Sequence, residues 1–360
     1  MAKLFMNDVN KVDSQNMFDT LKNFPNQIKD AIEIGKNAPL FSEEPVCDDY
    51  LILGMGGSAI GGDLLSSFCA NTSWGNHLRI SSNRSYTIPG WLNSTTNVIA
   101  SSYSGNTEET IAGFEAALKV TKRIVCITTG GKLEMLAQEN NIPVIKIPAG
   151  YQPRCALAYS FFPMLYVLLR NGAFKEEARH EIEFWLNDLL DLMFTKSAVY
   201  TDLSNGTNPA FVISEKLNNS VPVIYSAGER LESVNLRWRC QINENAKQLA
   251  YGSYLPEMNH NEINAWANPA ELIQKFSIIF MRDPFDNPRV KIRFNAIRSL
   301  LESSVKHIIE IKGDGENLLS RMFDLIYLGD WVSYYLAVLN NTDPTPIPFI
   351  NKLKDILSKE

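Results

Sequence analysis

Through the first half of the chain, short apolar runs alternate with longer stretches of helical period. Tyr50–Leu53, Leu78–Ser81, Val98–Ala100, Arg123–Ile127 and Val144–Ile147 are too short for helices and read as strands, the first and third of them buried. Between them, Ile60–Cys69, Glu108–Leu118 and Lys132–Asn140 gather their apolar residues on one helical face. Strands alternating with helices of this length predict βαβ units, hence a parallel sheet with helices on both faces. Upstream, Phe18, Leu21, Ile28, Ala31 and Ile32 recur at roughly helical spacing, with a break near Pro25. The strongly apolar stretch from Ala156 to Leu169 predicts a helix closing this first unit.

A looser helical pattern covers Glu177–Tyr200, and the polar break Ser204-Asn-Gly-Thr-Asn-Pro209 follows it. We therefore expect two domains, residues 1–195 and 196–360. Pro222-Val-Ile-Tyr225 restarts the strand–turn–helix theme, Phe276–Met281 and Val305–Ile311 add strands, and Leu318–Leu339 reads as a helix. The second half thus resembles a degenerate copy of the first. The expected fold class is α/β, with two doubly wound, flavodoxin-like three-layer domains. In the tail, Ile350, Leu353, Ile356 and Leu357 share one face of a helix and are expected to point inward, with Lys352 and Lys354 at its border.

A length of 360 residues suits two domains, and 45% apolar with 21% charged residues is an ordinary globular balance. Apolar runs such as Ser160–Leu169 carry Pro or polar breaks and fall short of a spanning helix. Asp8, Asp13 and Asp19 interrupt the first 30 residues, unlike a secretory leader, so a cytoplasmic protein is expected. The five cysteines form no CxxC pair and the four histidines have no metal-ligand spacing. Neither a metal nor another cofactor is expected. A net charge of −6 without a basic run argues against nucleic acid or a membrane as partner. An acidic chain that binds an anion must do so with a local pocket.

Two turns have the composition of such a pocket. Leu53-Gly-Met-Gly-Gly57-Ser58-Ala-Ile-Gly follows the first strand, and Ser101-Ser102-Tyr-Ser104-Gly-Asn-Thr107-Glu-Glu follows the third. Each runs into a helix, so backbone N–H and side-chain O–H groups can converge on an anion at a helix N-terminus. Gly54-Met-Gly56-Gly-Ser-Ala59 also fits the dinucleotide pattern G-x-G-x-x-[G/A]. The second strand, His77 to Arg84, offers no acid for a ribose hydroxyl, which leaves only a 2′-phosphate reading through Arg84. Neither turn has a P-loop lysine.

Gly-Gly-Ser-x-x-Gly and Ser-x-Ser-Gly-Asn-Thr-x-Glu in these positions resemble the sugar isomerase (SIS) domain, which grips the phosphate of phosphosugars. The resemblance implies that Gly57, Ser58, Ser102, Ser104 and Thr107 hold a substrate phosphate.

Three further clusters are candidates for chemistry. Arg154, in Gln152-Pro-Arg-Cys, lies between a strand and an apolar helix, where it can stabilise developing negative charge or form a surface ion pair. Glu244 is flanked by Asn243 and Asn245, which can orient it as a general base; the plainer reading is a helix-face glutamate paired with Lys247 or Gln248. His260 sits in the polar, non-periodic stretch Asn259-His-Asn-Glu262 and can move a proton near neutral pH.

In this order, with Asp343-Pro-Thr345-Pro near the end, the clusters resemble the bifunctional phosphoglucose/phosphomannose isomerases of the SIS superfamily. The resemblance implies aldose–ketose isomerisation through an enediolate. His260 would open the ring, Glu244 would carry the proton between C2 and C1, and Arg154 would stabilise the charge. Thr345 would leave room for both C2 epimers, and Lys352 or Lys354 would reach the site. It also implies a homodimer with His260 shared across the interface. The competing readings are a non-catalytic phosphosugar-binding regulator and, more remotely, a glutamine-dependent hexosamine-phosphate synthase, whose N-terminal cysteine nucleophile is not matched by Met-Ala-Lys.

Overall fold

The computed structural model describes residues 6–39, 41, 47–204 and 206–359; Asn205, within the polar break, lies outside them. The chain forms two compact units. One is Asn23–Phe194 with Gly315–Arg321; the other is Met1–Lys22, Thr195–Asp314 and Met322–Glu360.

The unit starting at Asn23 holds a sheet of β1 (Asp49–Leu53), β2 (Arg79–Asn83), β3 (Asn97–Ser102), β4 (Ile124–Thr128) and β5 (Val144–Lys146), in the order β2-β1-β3-β4-β5. Every pairing is parallel. All six residues of β3 and all five of β4 are buried, as a central parallel strand covered on both faces requires. Leu51, Val98, Phe114 and Cys126 form part of the core on one face. From β1 the chain goes first to one neighbour, β2, and then crosses to the other, β3. The carboxyl ends of β1 and β3 therefore flank the topological switch point, where open α/β sheets bind ligands.

The other unit repeats the plan with β6 (Val221–Ala227), β7 (Tyr251–Leu255), β8 (Phe276–Arg282) and β9 (His307–Lys312), all parallel, in the order β7-β6-β8-β9. This matches β2-β1-β3-β4 position for position, as the expected duplication requires. β7 escaped the sequence pattern because it is an edge strand, with Tyr251 exposed and only Leu255 fully buried. The helix Pro288–Leu301 was also missed; its buried residues are confined to Val290, Phe294, Ile297 and Leu301.

Leu318–Leu339 is long and apolar enough, by length and composition, to cross a membrane, yet 94% of that stretch is buried inside the protein. It is a core helix, and it buries charge. Asp330 accepts two bonds from Nη2 of Arg237, at 2.8 and 2.9 Å, and one from Nε2 of Gln241 at 2.8 Å. Asn245 donates to Ser333 Oγ at 2.9 Å. Arg237, Gln241 and Asn245 recur every four residues, so one stripe of the helix Glu232–Asn245 is fastened to the core helix.

The C-terminal helix Pro348–Leu357 departs from expectation. None of its residues is buried, and Ile350, Leu353, Ile356 and Leu357 face solvent in the single chain. Its apolar stripe exists, but among the described residues it stays exposed.

Asp330→Ala leaves the Arg237 guanidinium buried without its counter-charge. The expected loss of stability is about 3–5 kcal/mol by denaturant unfolding; a loss below about 1 kcal/mol contradicts a buried, charge-assisted clamp.

Candidate functional site

After β1 the chain turns at Gly54 and Met55 and enters the helix Gly56–Ala70, whose first residue has φ +48°. The helix starts four residues before the apolar pattern alone indicates, so Gly57 and Ser58 lie in its first turn. The Ser58 and Ala59 N–H groups donate to the Met55 carbonyl at 3.0 and 3.3 Å, so the Gly56 and Gly57 amides stand ahead of the helical ladder at the positive end of the dipole. After β3, Gly105 (φ +69°) turns the chain into the helix Glu108–Ala117, with Thr107 at its N-cap. Both helix starts thus stand at the carboxyl ends of β1 and β3.

Hydroxyl groups hold the two turns together. Ser58 Oγ accepts the Tyr103 N–H at 3.2 Å, joining the first turn to the second. Ser102 Oγ shares a hydrogen bond with Thr107 Oγ1 at 2.9 Å and accepts the Gly105 N–H at 3.1 Å. Ser102 is fully buried, Thr107 half-buried and Ser104 exposed. Ser104 Oγ accepts the Asn106 N–H at 3.2 Å. Ser102 therefore stiffens the turn from below, while Ser104 lies on its open side.

Arg154 lies in the short 3₁₀ turn Pro153–Cys155 and is only 4% exposed, which removes the surface ion-pair reading. That turn presses on the first glycine turn: a Cβ on Gly57 would lie 2.8 Å from the Pro153 carbonyl oxygen and 3.5 Å from the Arg154 Cα. Gln27 secures it from behind, donating to the Cys155 carbonyl at 2.8 Å and accepting the Ala158 N–H at 3.2 Å. Tyr103 adds a link through its hydroxyl, which donates to the Pro148 carbonyl at 3.0 Å and accepts the Tyr151 N–H at 2.8 Å. The structure thus brings Gly57, Ser58, Ser102, Ser104, Thr107 and Arg154 into one neighbourhood. Gln27 and Tyr103 carried no signal in the sequence, since both act through backbone groups distant along the chain. Arg84, the residue left for a dinucleotide 2′-phosphate, is instead engaged by both oxygens of Asp63.

The remaining candidates belong to the other unit. Glu244 is half-buried, at the penultimate position of the helix held by Asp330. Gln248 donates to the carbonyls of Leu217 and Ser220, at 3.1 and 2.8 Å. Thr345 is buried, and its N–H donates to Asp343 Oδ1 at 2.9 Å.

His260 ends the 3₁₀ turn Glu257–His260 beyond β7 and is exposed. The loop around it is anchored on both sides. Arg293 donates to Asn259 Oδ1 at 3.3 Å, and Tyr225, on β6, donates its hydroxyl to Glu262. Trp266 Nε1 donates to the same Tyr225 oxygen at 3.0 Å. Burial, followed by the hydrogen bond to Glu262, pushes the Tyr225 hydroxyl far above its ordinary pKa, so it remains a donor. Lys352 and Lys354 are both exposed on the C-terminal helix, and the geometry does not favour one over the other.

Comparisons with known proteins fit this layout. Residues 206–357 match the family described as the bacterial phospho-glucose isomerase C-terminal SIS domain. A bifunctional phosphoglucose/phosphomannose isomerase from Caldicellulosiruptor bescii is 40% identical over 343 residues, covering 95% of this chain and 99% of that protein. One of the same name from Aquifex aeolicus is 35% identical, covering 85% of this chain and 89% of its own length. In fold, the chain resembles the C-terminal domain of a glucosamine-fructose-6-phosphate aminotransferase from Francisella tularensis. That match has a TM-score of 0.68 at 13% identity, over 91% of this chain and 97% of the other.

A methyl group at Gly57 has to displace the Pro153–Arg154 backbone. Gly57→Ala should therefore weaken binding of inorganic phosphate about tenfold, measured by calorimetry, in line with the ~1–3 kcal/mol cost of overpacking a close contact. Unchanged affinity would mean that the Arg154 turn has no part in holding the anion.

Proposed function

The chain belongs to the bifunctional phosphoglucose/phosphomannose isomerases, and we infer that it interconverts glucose 6-phosphate and mannose 6-phosphate with fructose 6-phosphate. The observation that carries this reading is the joining of two hydroxyl-rich helix starts at the β1/β3 switch point to a buried arginine across Gly57. The cradle suits a phosphate monoester. Its donors are mostly neutral, and helix dipoles supply part of the positive charge, so a metabolite can also leave. In our reading Ser104 and Thr107, with the first amides of both helices, contact the phosphate, while Ser58 and Ser102 fix the shape they present.

Isomerisation then needs three operations. His260 moves a proton between the ring oxygen and a hydroxyl, opening the cyclic sugar. Glu244 takes the proton from C2 of the open aldose and delivers it to C1. The negative charge passes onto the oxygens of the enediolate, and the Arg154 guanidinium stabilises it where it develops. Buried beside the turn, that guanidinium acts in a medium that screens less than water. Thr345, small and held at the Asp343-Pro344 turn, leaves space for either configuration at C2. Lys352 or Lys354 serves the same substrate from the C-terminal helix.

We further propose a homodimer in which His260 acts in the neighbouring subunit. The exposure of His260 and the uncovered apolar stripe of the last helix support it. A cytoplasmic location suits five widely spaced cysteines with no CxxC pair. The activity named for its relatives favours an enzyme over a phosphosugar-binding regulator on the same fold.

Glu244→Gln removes the base and leaves the cradle intact. It should lower kcat by about 10²–10⁴-fold in a coupled fructose 6-phosphate assay, with phosphosugar affinity largely kept. Near-normal turnover would take Glu244 out of the mechanism. His260→Ala should slow cyclic substrates much more than open-chain analogues, compared side by side under rapid mixing; equal losses on both would contradict a ring-opening role.

A further inference from the structure

Lys247 occupies a position where its backbone favours glycine. It lies two residues beyond the end of the helix Glu232–Asn245 with φ +50°, the left-handed region that closes many helices and that a Cβ disfavours. A glycine would serve the backbone better. What lysine adds is its ammonium group, and that group is fully used. Nζ donates to the Asn245 carbonyl at 3.3 Å, the Asp343 carbonyl at 2.6 Å and the Pro344 carbonyl at 3.0 Å. Three acceptors match the three N–H donors of an ammonium.

These carbonyls belong to two segments separated in the chain by almost a hundred residues. Asn245 follows Glu244 directly, and Pro344 precedes Thr345. The Thr345 N–H is itself tied to the Asp343 carboxylate, so the turn moves as one piece. Asn340 adds a brace on the helix side, donating to the Ala246 carbonyl at 3.1 Å and to Gln248 Oε1 at 2.9 Å. The core helix, fastened through Ser333, fixes the same helix end from within.

We propose that Lys247 is a positioning residue for C2-epimer tolerance: its ammonium clamps the Asp343-Pro344-Thr345 turn to the end of the helix that carries Glu244. The inference rests on the reading of Glu244 as proton carrier and of Thr345 as the wall beside C2. A clamp between them sets how far that wall stands from the base, and so how equally the base serves the two epimers. The backbone strain at Lys247 is retained because glycine cannot supply the bonds.

Two substitutions separate the clamp from the backbone. Lys247→Met removes the ammonium and keeps the strained conformation; Lys247→Gly removes the ammonium and relieves the strain, so its Tm should be the higher of the two. Both should change the ratio of kcat/KM for mannose 6-phosphate to that for glucose 6-phosphate by about threefold or more and lower kcat about tenfold, since small misplacements of reacting groups are costly. KM for fructose 6-phosphate should move less than about twofold, because phosphate binding contributes equally to ground and transition states. Lys247→Arg, which keeps the charge and the donors, should restore part of the kcat.

Thr345→Gln, assayed in parallel, tests the underlying reading. If it shifts the epimer ratio while Lys247→Met and Lys247→Gly leave the ratio unchanged, the clamp is overturned and the Thr345 reading survives. If Thr345→Gln itself leaves the ratio unchanged, the Thr345 reading falls and the inference falls with it. Activity that merely follows Tm across the Lys247 variants at constant ratio also overturns the clamp.

Discussion

The close approach of the Pro153 carbonyl to Gly57 is the constraint on which the candidate anion site depends. No side chain fits between these backbones, so the turn bearing Arg154 lies directly on the start of the first switch-point helix. Everything around it maintains that approach. Gln27 fastens the far side of the turn, Tyr103 ties the second switch-point loop to the segment ahead of it, and Ser160 donates to the Ser58 carbonyl at 3.1 Å. An arginine buried this close to the turn has little water around it to screen its charge. It is a fixed positive charge beside a set of neutral donors. This combination suits a phosphate that binds and leaves, and an oxyanion that forms only in passing.

The second unit meets a different demand with the same topology. Its switch-point helix, Glu232–Asn245, begins without the hydroxyl-rich turn and carries its candidate chemistry at the opposite end, at Glu244. The polar stripe Arg237–Gln241–Asn245, bonded to Asp330 and Ser333, fixes that end against a core helix. Burying an ion pair adds little net stability. It does fix the rotational setting of the helix that carries Glu244. The two sheets thus share a strand order, while the candidate anion-binding turns and the candidate base lie in different units.

Much of this was legible in the sequence. The central strands β1, β3 and β4 read as apolar runs because both faces of a central parallel strand are covered, and glycine–hydroxyl turns stand out at the ends of β1 and β3. β7 was not legible, because an edge strand with one fully buried residue leaves no apolar run. The inward placement of the C-terminal helix was inferred from its stripe alone, and periodicity says which face is apolar without saying what covers it. Gln27 and Tyr103 left no trace either, and Lys247 stood out only as a possible partner of Glu244. Each acts by bonding to backbone groups far along the chain, and such bonds follow from the fold rather than from any local pattern.

The most direct test is a crystal structure with a stable mimic of the enediolate, phosphorylated at one end. The phosphate oxygens are expected within hydrogen-bond distance of Ser104, Thr107 and the first amides of the helices Gly56–Ala70 and Glu108–Ala117, with the enediolate oxygens turned towards Arg154. A mimic bound with its phosphate on Arg154, or seated at the carboxyl ends of β6 and β8, would contradict that placement.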